Sequence, residues 1–105
     1  MAWAYIIAAG VFEAVWALAL KQSDGFSKPL PTIVFLVFLV ASMILLAIAL
    51  RSLPVGTGYA VWVGIGAIGA AVGGLVFLGE ETSWQRLVPI ALIAAGVVWL
   101  ALGES

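Results

Sequence analysis

Glu13 sits within an apolar run from Ala2 to Leu20, and it is the one ionisable side chain placed deep inside any apolar run of the chain. A carboxylate near a bilayer midplane costs at least several kcal/mol, so intramembrane acids mark sites of function. Three bland explanations compete. Snorkelling fails, because Glu13 lies about two residues, roughly 3 Å, from the centre of its run. An internal ion pair fails, because no Lys or Arg falls inside any apolar run. A permanently protonated, structural Glu stays open. The functional reading uses the same burial: desolvation penalises the charged form, so a proton and a cation become alternative occupants of one site. If two copies of the chain meet around a pathway, their Glu13 carboxylates titrate as a coupled pair.

Gly10, Glu13 and Trp16 recur at three-residue spacing and share one helical face, which is expected to point inward. Tyr59, Trp62, Gly66, Gly69 and Gly73 form a second stripe at i, i+3, i+7, i+10 and i+14. Trp16, Tyr59 and Trp62 can each donate a hydrogen bond to a carboxylate and offer a π face to a cation. An interfacial aromatic belt accounts better for Trp3, Tyr5 and Trp99, and stays an alternative for Tyr59 and Trp62.

The elements that carry these residues follow from composition. With 66% hydrophobic and 9% charged residues in 105, the chain is an integral membrane protein. Its apolar runs are continuous rather than alternating, so they span as helices. The runs are Ala2 to Leu20, Leu30 to Leu50, Val55 to Leu78 and about Leu87 to Leu102, giving one transmembrane domain with helices near 2–20, 30–50, 55–78 and 85–102. The fourth run is short, with Trp84, Arg86 and Trp99 as interfacial anchors. The first run is not expected to be a cleaved signal, since no basic residue precedes it and it carries Glu13.

The loops, Lys21 to Pro29, Arg51 to Pro54 and Gly79 to Arg86, are brief enough to force antiparallel hairpins with both termini on one side. Lys21, Lys28 and Arg86 fall on one face and Arg51 on the other. So weak a charge bias allows insertion in both orientations, although loops one and three on the cytoplasmic side fit it equally well. A formal charge of −1 gives nothing to hold a nucleic-acid backbone. Without Cys or His, disulfides, thiolate chemistry and transition-metal sites are not expected, and no cofactor is implied. No nucleophile, base and oxyanion set can be assembled, so an enzyme is not expected.

Gly69 and Gly73 suit close helix packing, whereas Gly64-Ile65-Gly66 places two glycines in one turn, where the helix can bend as a hinge or simply pack. Pro29 and Pro31 start the second helix, and Phe35 and Phe38 face lipid or neighbouring helices. Ser42 is its one mid-span hydroxyl, free to bond to its own backbone or to serve the site. Ala91, Ala94, Ala95 and Gly96 make the fourth helix a packing surface for another helix, expected from a second subunit. Four helices pack around a solid centre with little room for a substrate, so a dimer is expected.

Three segments carry a resemblance: G-x-F-E-A-V-W from Gly10 to Trp16, L-P-V-G-T-G-Y-A-V-W-x-G-I-G from Leu53 to Gly66, and A-G-V-V from Ala95 to Val98. Together they closely resemble the small multidrug resistance family, over the whole chain. Trp16 and Ser42 resemble the guanidinium-exporter subtype rather than the exporters of polyaromatic cations. The resemblance implies an all-α, proton-coupled antiporter working as an antiparallel, dual-topology homodimer in the bacterial inner membrane. It implies that Glu13 binds protons or substrate, and that Gly10, Trp16, Ser42, Tyr59 and Trp62 line the site. Ser42 and Trp16 are implied to bond to Glu13, and Gly64 and Gly66 to form the bend of the third helix. Guanidinium and substituted guanidinium ions are the implied substrates, since their planar donor edge matches a carboxylate. Export of hydrophobic quaternary ammonium ions, and a non-transporting membrane subunit that only packs against partners, are the rival expectations.

Overall fold

A computed structural model describes residues 1–104, which form the helices α1 (Ala2–Gln22), α2 (Pro29–Ala49), α3 (Val55–Phe77) and α4 (Trp84–Glu104). All four are long and apolar enough to cross a membrane. At about 1.5 Å per residue, 21 to 23 residues reach just over 30 Å, the depth of the hydrocarbon core. α4 is longer than its apolar run. The Ser83 carbonyl accepts the N–H groups of Arg86 and Leu87, at 3.1 and 2.9 Å, and so starts the helix among interfacial residues.

Local chemistry fixes the ends. Lys28 is held extended (φ −104°, ψ 120°) before Pro29, whose ring presets the helical φ of the first turn of α2. After α1 the chain turns through three successive left-handed residues, Asp24, Gly25 and Phe26, at φ 50°, 69° and 68°. A bulky side chain at positive φ is unfavourable, so something must hold Phe26 there. Ser23 does: its hydroxyl donates to the Leu20 carbonyl at 2.7 Å and accepts the Phe26 N–H at 3.2 Å. α3 ends at Leu78, followed by Gly79 at φ 67°. That turn brings Glu80 back over Gly74, where only the absence of a Cβ admits its carboxylate, and Glu80 pairs with Arg86 at 2.7 Å.

The arrangement is not the solid-centred bundle expected from the sequence. Among the described residues, α1 lies between α2 and α3 and packs along both, α3 alone contacts α4, and α2 barely meets α3. The result is a slab of 40 × 33 × 16 Å. Lipid tails are as apolar as leucine, so an apolar helix face gains little by being covered within its own chain, and a flat arrangement costs little. Contact is close where small residues permit. A Cβ at Gly69 would lie 2.6 Å from that of Ala14, Gly73 receives Leu18, and Gly64 receives Val97 of α4. The core, Ile6, Ala9, Leu46, Ala49, Val61 and Trp62, sits where α1, α2 and α3 converge, one turn from Glu13.

Candidate functional site

Glu13 lies on the α1 face turned towards α3, and the glycine stripe supplies its space. A Cβ at Gly66 would overlap the Glu13 carboxylate and its Cγ, so bare backbone forms the wall behind the acid. Oε1 of Glu13 is buried and has no hydrogen-bond partner among the described residues. The same holds for Nε1 of Trp16, one helical turn further along. Desolvated groups of this kind carry an unpaid penalty in the lone chain, which a partner or guest can relieve.

Ser42 and Trp62 are already paired. The Ser42 hydroxyl, fully buried, donates to the Ala9 carbonyl at 2.7 Å and accepts the Trp62 Nε1–H at 2.9 Å. One hydroxyl from α2 therefore ties together α1 and α3. This differs from both expectations for Ser42. It bonds neither to its own helix nor to Glu13, because the Ala9 carbonyl is the acceptor within reach; no Glu13–Trp16 hydrogen bond forms either.

The other expected residues fall into two groups. Trp62 is 4% exposed and belongs to the core, while Tyr59, expected to face inward, is 54% exposed, with its ring 5.3 Å from that of Trp62. Its neighbours Gly58, Val61 and Trp62 are buried, so Tyr59 stands on the uncovered face of α3. Gly10 is buried against Ile65, whose Cβ and Cγ2 lie 2.6 Å from where a Gly10 Cβ would be. Gly64 and Gly66 both lie in α3, which runs unbroken through them. Trp16 packs edge-on against Phe35 of α2, with ring centroids 5.7 Å apart at 74°. Sequence reasoning missed the Ala9 carbonyl, Ile65 and Phe35. The spacing of Gly66 on the inward stripe was the available signal for its role behind the acid. A groove of about 650 Å³ lies elsewhere, between Ala60 of α3 and Ile93, Gly96, Val97, Trp99 and Leu100 of α4.

Four apolar helices, with one acid set in the middle of the first of them, define a multi-pass membrane protein. Residues 1–93 match the family described as Small Multidrug Resistance protein, and the chain belongs to that family of transporters. It is 51% identical to a guanidinium exporter of Yersinia pseudotuberculosis over 99% of this chain and 100% of that protein. It is 49% identical to the guanidinium exporter of Escherichia coli K12 and 48% identical to that of Salmonella typhimurium, each over 97% of both chains. The family resemblance read from the sequence is borne out.

Two substitutions check this geometry. Gly66→Ala raises intrinsic helix propensity yet intrudes on the carboxylate, so it is expected to displace the Glu13 side chain without unfolding α3, read as a shift of the Glu13 carboxyl resonance at unchanged circular dichroism. Ser42→Ala leaves the Trp62 indole without its acceptor and is expected to cost about 1–2 kcal/mol in reversible detergent unfolding.

Proposed function

We propose that the chain exports guanidinium and small guanidinyl cations across the bacterial inner membrane in exchange for protons, as an antiparallel homodimer inserted in both orientations. The observation that carries this reading is the Glu13 carboxylate, held against bare backbone at Gly66 with a buried oxygen unpartnered. The names of its near-full-length relatives support the substrate class.

A lone carboxylate in an apolar span accepts either a proton or a cation, since holding both leaves a net charge in low dielectric. Mutual exclusion at one site is sufficient for coupled exchange, provided the site faces one side at a time. Guanidinium suits it because the ion is planar and weakly hydrated, and its paired N–H groups match the two oxygens of a carboxylate. Trp16 sorts into a role by elimination. Guanidinium has no acceptor, so the Trp16 Nε1–H serves a carboxylate oxygen, while the indole face meets the cation and its bulk limits the size of the guest. Gly10, Ser42, Tyr59 and Trp62 complete the lining.

The flat shape of the chain supports the dimer. A slab 16 Å thick has no enclosed centre, and Glu13 needs a second wall to exclude lipid and water. α4 offers the seam: its groove with α3 is floored by Gly96 and Ala60, small residues that let another helix approach closely. Alternating access then exchanges the two subunit shapes around fixed Glu13 side chains, with α3 bending at Gly64 and Gly66.

In proteoliposomes, an imposed pH gradient is expected to drive guanidinium flux, and apparent affinity should fall as pH is lowered, because protonated Glu13 cannot take the cation. Glu13→Gln should abolish both binding and proton coupling; pH-dependent flux surviving that change would overturn the reading. Transport of a quaternary ammonium ion in preference to guanidinium would move the assignment to a multidrug exporter. For topology, the chain lacks cysteine, so Ser52→Cys in the exposed second loop places a single thiol. Both orientations are expected to appear as labelling of roughly half the molecules from each membrane side.

A further inference from the structure

Three aromatic rings connect the first loop to the site, and none of the contacts between them is required by the proposed chemistry. Phe26 packs on Phe35 in a tilted contact, with ring centroids 5.7 Å apart at 53°, and Phe35 meets Trp16 edge-on at the same separation. We infer that Phe35 is a positioning residue for Trp16, and so a determinant of guest size, with Phe26 acting as its support. The inference rests on the proposed role of Trp16 beside Glu13.

The argument begins with what holds Trp16. Its only polar atom, Nε1, is buried without a partner among the described residues, so no hydrogen bond sets the tilt of the indole. Packing must do so. One side of the ring leans on the core of α1, α2 and α3. The other meets Phe35 in the edge-to-face geometry that aromatic pairs favour, and this contact constrains angle as well as distance.

Phe35 is in turn held from outside. Phe26 is 56% exposed and stands at φ 68°, a conformation unfavourable for a bulky residue. The fully buried Ser23 fixes it there through its hydrogen bond from the Phe26 N–H. Backbone strain concentrates where surrounding structure has a use for it, and here its product is a ring set against Phe35. The Phe12–Phe38 pair on the same two helices, at 5.2 Å, lies a turn further along and leaves Trp16 untouched.

If Phe35 sets the indole, loss of its ring lets Trp16 tilt, which loosens its grip on the carboxylate and admits broader guests. The test uses the full-length chain in proteoliposomes, with guanidinium and tetrapropylammonium as guests, and in bicelles with ¹⁵N-labelled indole. Phe35→Leu is expected to raise the KM for guanidinium about two- to tenfold with a smaller change in maximal rate, and to narrow the preference for guanidinium over tetrapropylammonium by a similar factor. The Trp16 indole resonance should shift while that of Trp99, 80% exposed on α4, stays in place. Phe35→Tyr, which keeps the ring, should restore all three, and Phe26→Ala should give a smaller shift of the same sense. The inference is overturned by an unmoved Trp16 resonance, by equal loss of both fluxes at unchanged preference, or by Phe35→Tyr behaving like Phe35→Leu. Should Phe35→Leu fail to fold, Phe26→Ala decides by the same readouts. Absence of guanidinium flux in the parent chain would sink the proposed function, whereas the indole resonance would still report on the ring column.

Discussion

Within the membrane-spanning part of this chain, one buried side-chain relay specifies how the helices meet. Trp62 of α3 donates to Ser42 of α2, and Ser42 donates to the Ala9 carbonyl of α1. α2 and α3 otherwise hardly touch, so the relay is their main tie and sets the register of both against α1. In hydrocarbon there is no hydrophobic force to press helices together, and hydrogen bonds and close packing must specify the arrangement. Ala9 lies one turn before Glu13, so the bond that fixes the helices also fixes the depth and heading of the acid.

The second constraint is steric. α3 approaches α1 along Gly66, Gly69 and Gly73, and each bare position accepts a particular group: the Glu13 carboxylate, the Ala14 methyl and the Leu18 side chain. These three residues of α1 are consecutive neighbours of its inner face. The glycine stripe is therefore a cast of α1. Packing and site construction are one structural act here, because the stripe that lets the helices close also shapes the cavity wall for the acid.

The spans, their order and the singular position of Glu13 were legible because bilayer thickness and the cost of a buried charge act on sequence directly. Faces were legible from helical period. Neighbours were not. Periodicity places Ser42 on a face but says nothing of which carbonyl stands opposite, and a carbonyl such as that of Ala9 leaves no mark in a side-chain pattern. Gly66 was read as a candidate bend because two glycines share a turn with Gly64; its role as a wall depends on the register of α3 against Glu13, which only the fold supplies. Tyr59 shared a stripe with Trp62, yet only Trp62 is buried, since the relay draws it towards α2 while Tyr59 stays half exposed beside it. Phe35 was left between lipid and neighbouring helices because its partners, Trp16 and Phe26, come from another helix and a loop.

The allocation of hydrogen-bond donors completes the physical picture. Three donors stand near the acid on inward faces: the Ser42 hydroxyl and the indoles of Trp62 and Trp16. Two are spent on the relay, and the third is unspent within the described chain. A carboxylate that already held several donors would keep its charge without help and gain little from a guest. One whose neighbours are committed elsewhere suits the exchange proposed for it, in which a proton or a cation supplies the missing partner. Holding the helices together with Ser42 and Trp62 thus has a chemical consequence: neither donor is left to bond the Glu13 carboxylate.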